Sequence, residues 1–164
     1  MSFGFLVAGF LATTNAGRLA LASQANRPPP RSVALALLAG FGLVVAAVVF
    51  GDDLLDALDI SPESFRIAAG LVLGAAGTRT IIWPQPGSGP FPAILVTPDL
   101  TCAALSFGAD ETTWKVFAAA AVALPFLIAA AARPRGPMVL GAQFLAALEL
   151  IVGVALIVSG IREV

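Results

Sequence analysis

The sequence predicts an all-α polytopic membrane protein: a single transmembrane domain of six helices, arranged as two inverted sets of three. Three observations lead there. First, 59% of the 164 residues are hydrophobic and only 12% are charged, with a mean hydropathy of +0.95. That is too little polar surface to clothe a soluble domain of this size. Second, six apolar stretches approach the roughly 20 residues a helix needs to cross about 30 Å of hydrocarbon. They are residues 3–23, 32–50, 65–82, 92–108, 113–132 and 138–161. Third, the first and fourth stretches are interrupted by polar residues at corresponding places in the two halves, about 1–83 and about 90–164. Such paired interruptions point to a transporter's binding site.

Taken in order, the first stretch begins MSFGFLVAGF, without the basic region of a cleavable signal peptide, and is expected to be a retained helix. It is stopped by QANRPPPR, whose three prolines and two arginines end one helix and start the next. The second stretch runs into GDDLLDALDISPES, where acids mixed with apolar residues at helical spacing suggest a short amphipathic turn on the membrane surface. Ser61 then caps the third helix, with Pro62 as its first residue and Glu63 near the positive end of its dipole. WPQPGSGP, GADETTW and ARPRGP make the remaining connections. Arginines fall in or beside connections one, three and five, and acids in two and four. The positive-inside rule therefore turns residues 24–31 and 133–137 to the cytoplasm and leaves both termini extracytoplasmic. Trp83 and Trp114 sit at helix ends, where indoles favour the interface.

Composition excludes several functions. A formal net charge of -1 offers no basic surface for nucleic acid. With no histidine and a single cysteine, Cys102, a histidine base, a His-containing metal site and an intrachain disulfide are all ruled out. No nucleophile and base stand together, so an enzyme is not expected, nor is a cofactor.

The halves also align. Arg66–Gly77 lies over Glu149–Gly160 so that Gly70 meets Gly153 and Gly77 meets Gly160 without a gap, and the same register lays Thr14 and Asn15 over Thr97 and Pro98. Three helices per half make the second half inverted in the membrane. Gly70, Gly74 and Gly77 read as close-packing residues, and the GxxxG step from Gly70 to Gly74 would also suit a homodimer.

Around the third helix, Ile60, Ser61, Phe65, Arg66, Ile67, Ala68, Ala69 and Gly70 resemble the Ile-Ser step and Phe-Arg-Ile-Ala-Gly-Gly stretch of the MarC family of bacterial inner-membrane proteins, within the LysE-like exporter superfamily. The resemblance runs along nearly the whole chain and implies a multi-pass inner-membrane protein. The chain departs from the family at two motifs. Thr14, Asn15, Gly17 and Arg18 stand where the family has Asn-Pro and Gly-Asn, and Thr97, Pro98 and Asp99 where it has Gly-Pro-Gly.

A polar group at membrane depth must face protein or a water-filled cavity. Thr13, Thr14, Asn15, Arg18, Thr97, Pro98, Asp99 and Thr101 are therefore the candidate substrate-binding residues. Arg18 lies about 22 Å along the first helix, where it can snorkel or pair inward. Its expected partner is Glu149, roughly 6–16 Å from the same interface, and together they would form a gate. Arg66 reads either as part of such a charge pair or as an interface charge near Glu63 and Asp59. Asp99, near the bilayer middle, suits proton or cation coupling, or caps a half-helix broken at Pro98. The chain is thus expected to be a small secondary transporter or exporter of a small molecule or ion. A non-transporting scaffold or accessory subunit is the alternative, and a passive channel would need a continuous polar stripe.

Overall fold

The computed structural model describes residues 2–14, 29–83, 97–110, 112–132 and 138–163. They form six helices: α1 Phe3–Thr14, α2 Pro30–Ala57, α3 Pro62–Ile82, α4 Pro98–Asp110, α5 Thr113–Ala132 and α6 Met138–Glu163. No strand occurs among the described residues. Three helices contain stretches long and apolar enough to cross a bilayer: Arg31–Ala57, Pro62–Ile82 and Leu140–Glu163. Phe3–Thr14 and Thr113–Leu124 are apolar but shorter. Large side chains such as Leu38, Phe50, Leu71, Phe144 and Ile151 point outward, as they do when the surrounding solvent is lipid.

One expected element is absent. The acidic segment after residue 50 is no separate surface turn, because α2 continues through Asp52, Asp53 and Asp56 to Ala57. Leu55 stays buried while Asp52, Asp53 and Asp56 are exposed, so the helical spacing of apolar residues was real but belongs to α2 itself. At 28 residues α2 is about 42 Å long, which carries its acidic end past the hydrocarbon. It closes with the Ile60 N–H on the Leu55 carbonyl at 3.0 Å. Asp59 turns the chain at φ 55, the left-handed step that usually falls to glycine and that aspartate tolerates. Ser61 then caps α3 as expected, its hydroxyl accepting from the Ser64 N–H at 3.3 Å, with Pro62 in the first turn.

The most extensive contact is between α3 and α6. A methyl group added at Gly70 would meet the Gly153 carbonyl at 2.4 Å, and one added at Gly153 would meet that of Gly70 at 2.7 Å. A methyl group added at Gly77 would meet the Ala146 carbonyl at 2.6 Å, and one added at Gly160 that of Glu63 at 2.7 Å. The two helices run antiparallel and touch backbone to backbone wherever a glycine recurs, which only a residue without a Cβ allows. Gly74 behaves differently: nothing lies within 4 Å of its Cβ position. The GxxxG step therefore splits, with Gly70 spent on the internal seam and Gly74 turned outward.

Next in extent comes α2 with α4, then α1 with α5 and α3 with α4 equally, then α1 with α6, while α1–α4, α2–α5 and α4–α5 also touch. Phe107 of α4 anchors the crossing with α1. Fully buried, it makes edge contacts with Phe5 and Phe10 at centroid distances of 6.1 and 5.4 Å. Its ring lies over Gly9, where a Cβ would come within 2.5 Å of it.

Candidate functional site

The first turn of α4 is built by Thr97 and Pro98. The Thr97 Oγ1 accepts from the Leu100 N–H at 3.5 Å, and its carbonyl accepts from both the N–H and the hydroxyl of Thr101, at 3.1 and 3.0 Å. Proline at the first helical position lacks an N–H that would have had no partner anyway. Pro98 thus opens a helix; the expected break in the fourth stretch involves residues 91–96 as well, which lie outside the described residues. Asp99 follows within the first turn, 3% exposed, so its carboxylate sits at the positive end of α4 and turned away from lipid.

On α1, Thr13 is buried and Thr14 half-buried. The Thr13 hydroxyl donates to the Gly9 carbonyl at 2.9 Å and the Thr14 hydroxyl to that of Phe10 at 2.5 Å. Together with Thr101, three hydroxyls of the candidate site spend their proton on their own helix, four residues back. Each keeps only acceptor capacity toward a solute. Thr14 and Leu100 line one cavity with Phe10 of α1, Gly40 and Phe41 of α2, and Ala123 of α5. Its volume of about 30 Å³ holds roughly two waters, and apart from Thr14 these walls are apolar. The α1–α4 crossing therefore brings Thr14 to the α4 turn that carries Asp99. Asn15 and Arg18 lie outside the described residues.

Of the charged residues expected to form a gate, Arg18 lies outside the described residues, and Glu149 and Arg66 are described. Glu149 is fully buried on the inward stripe of α6, whereas Arg66, also buried, sits at the beginning of α3. Arg66 forms an ion pair with Glu163 at the far end of α6. The antiparallel seam carries the end of α6 to the start of α3, which brings Glu163 to Arg66. At the opposite end of the same seam the Gln143 side-chain amide donates to the Ile81 carbonyl at 3.2 Å. Glu163, Gln143, Thr80 and Ser106 were not singled out from the sequence. Thr80 and Ser106 are buried, and Thr80 could have been found, since it continues the heptad-like stripe of Arg66, Leu73 and Gly77. Among the described residues no three His, Cys, Asp or Glu side chains cluster as metal ligands.

Compared with protein-family models, with curated proteins and with solved structures, the chain matches none.

Proposed function

We propose that this chain is a small secondary transporter or exporter of the cytoplasmic membrane, built as a 3+3 inverted repeat, with its solute path between α1 and α4. The observation that carries this reading is the exchange pattern of the contacts. If α1, α2 and α3 trade places with α4, α5 and α6, then the α2–α4 contact becomes α5–α1 and the α3–α4 contact becomes α6–α1; the α3–α6, α1–α4 and α2–α5 contacts become themselves. All of these are present; the slight α4–α5 contact alone has no counterpart of equal extent between α1 and α2 among the described residues. The seam obeys the same rule: the Gly70–Gly153 approach maps on itself, and Gly77 on Ala146 maps to Gly160 on Glu63. Burial repeats as well, because Arg66, Ala69, Gly70, Leu73 and Gly77 match Glu149, Val152, Gly153, Leu156 and Gly160, all ten buried. A pseudo-twofold axis through Gly70 and Gly153 accounts for all three patterns.

Inverted repeats of this kind hold substrate where their first helices meet near the midplane, and here the meeting point carries Thr14 and Leu100, the residue after Asp99 in the first turn of α4. A buried carboxylate beside a small cavity supports coupling to a proton or cation. The resemblance of residues 60–70 to MarC proteins, and a multi-pass inner-membrane placement with both termini outside, accord with it. A cavity of about 30 Å³ is far below the roughly 300 Å³ of ordinary ligand sites, so transport requires α1 and α4 to move apart from this closed arrangement.

The same small cavity, and hydroxyls already bonded to their own helices, favour the second reading, a non-transporting scaffold or accessory subunit. Solute flux into proteoliposomes, with and without a proton gradient, separates the two. A transporter shows gradient-dependent flux of some small solute that Asp99→Asn uncouples. Gradient-insensitive vesicles across a broad solute panel, with Asp99→Asn indistinguishable from the parent chain, favour the scaffold.

A further inference from the structure

The outward side of the α3–α6 seam carries a groove of about 590 Å³. Its walls include Gly74, Ala75 and Thr78 of α3 with Val154 and Ile157 of α6, and Arg79 and Trp83 stand at its end. From Gly70 to Trp83 it follows about 20 Å of helix, the depth of one leaflet of hydrocarbon plus its interface. The groove exists because the repeat is broken at this point. In the register that lays Gly70 over Gly153, the positions equivalent to Ala75 and Thr78 are Val158 and Ile161, so the matching surface beyond the shared Gly74 and Ile157 carries branched side chains. Arg79 is exposed, and among the described residues no carboxylate pairs with it. Trp83, 64% exposed, lies where an indole meets lipid headgroups.

We propose that this groove is a binding site for an anionic phospholipid: one acyl chain lies along the small-residue wall, and the phosphate sits against Arg79 beside Trp83. The proposal needs the chain to be embedded in a bilayer but does not depend on transport. Charge decides between lipid and a second copy of the chain. A twofold contact through this face would set Arg79 beside Arg79 of the other copy at the same depth, a like-charge encounter in low dielectric, whereas a phosphate supplies the missing anion.

The test uses the full chain in bilayers containing acyl-brominated phosphatidylglycerol or acyl-brominated phosphatidylcholine, with Trp114→Phe leaving Trp83 as the only indole. Trp83 quenching should favour the anionic lipid about fivefold, the scale of one arginine at a lipid surface. Arg79→Gln should remove that preference. The double variant Ala75→Val/Thr78→Ile, which fills the groove with the residues of the repeat-related surface at two exposed positions, should weaken quenching by the anionic lipid while the protein stays folded. Three results would overturn the site: equal quenching by both lipids, a preference that survives Arg79→Gln, or quenching unchanged by the filled groove. Brominated lipid excluded from Trp83, with Ala75→Cys crosslinking between copies, would assign the groove to a second copy instead.

Discussion

The α3–α6 seam and the α1–α4 crossing are both contacts between the two halves of the chain, yet they are closed by opposite means. In the seam, main chain lies on main chain at four glycines, and polar contacts close its two ends as the Arg66–Glu163 pair and the Gln143–Ile81 bond. At the crossing, one large ring, Phe107, fills the space over Gly9 and leaves a small cavity beside Thr14 and the Asp99 turn. Backbone contact cannot loosen by a rotamer change, whereas a side-chain contact with a void beside it can. The difference teaches where motion can occur: the seam is the fixed frame, and α1 and α4 are the elements free to separate.

Breaking the frame should have the largest effect. Gly70→Val or Gly153→Val drives a branched side chain into a carbonyl and should cost more than the about 1–3 kcal/mol usual for overpacking, because the obstacle is main chain. Loss of a monodisperse, detergent-resistant fold on heating is the readout. Phe107→Ala should cost less than the about 3–5 kcal/mol of such truncations in water-soluble cores, because separated helices remain in hydrocarbon and only packing is lost. It should also open a void over Gly9, measurable as faster labelling of Cys102, which packs against the same core cluster, by a small thiol reagent. Glu163→Gln removes the partner of Arg66, but Glu163 is 49% exposed, so water screens the pair and the change should be at most about 1 kcal/mol. Gly74→Ala sharpens the contrast at the small end. With nothing near its Cβ, it should shift thermal stability by no more than about 0.5 kcal/mol, the range of surface substitutions.

Much of the frame was legible in the sequence, for a physical reason. Hydrocarbon forces spans of fixed length, so the helix positions followed from apolar runs. The cap at Ser61 with Pro62 is a local pattern, and it forms as read. Gly70 and Gly77 were visible as close-packing residues because close backbone approach admits one residue type, while the helix they pack against was not. What was missed depended on long-range placement or on backbone freedom. The acidic end of α2 looked like a separate turn because the helix is terminated by a left-handed Asp59, a position where aspartate carries no distinctive signal. The Glu163 partner of Arg66 was not foreseen because nothing in the neighbourhood of Arg66 announces a residue nearly a hundred positions away. At the candidate site the residue types were visible and their bonding was not: a threonine at membrane depth reads the same whether its hydroxyl faces solute or, as at Thr13 and Thr14, the carbonyl one turn back.

The central claim is that the second half repeats the first upside down about the Gly70–Gly153 contact. Its most direct test is the sidedness of the two repeat-equivalent connections, the one after α2 and the one before α6. Single cysteines at Asp56 and at Arg135, in a Cys102→Ser background, are labelled in intact cells with a membrane-impermeant maleimide. Asp56→Cys should react from outside and Arg135→Cys only after the membrane is opened. Labelling of both from the same side would contradict the inverted repeat.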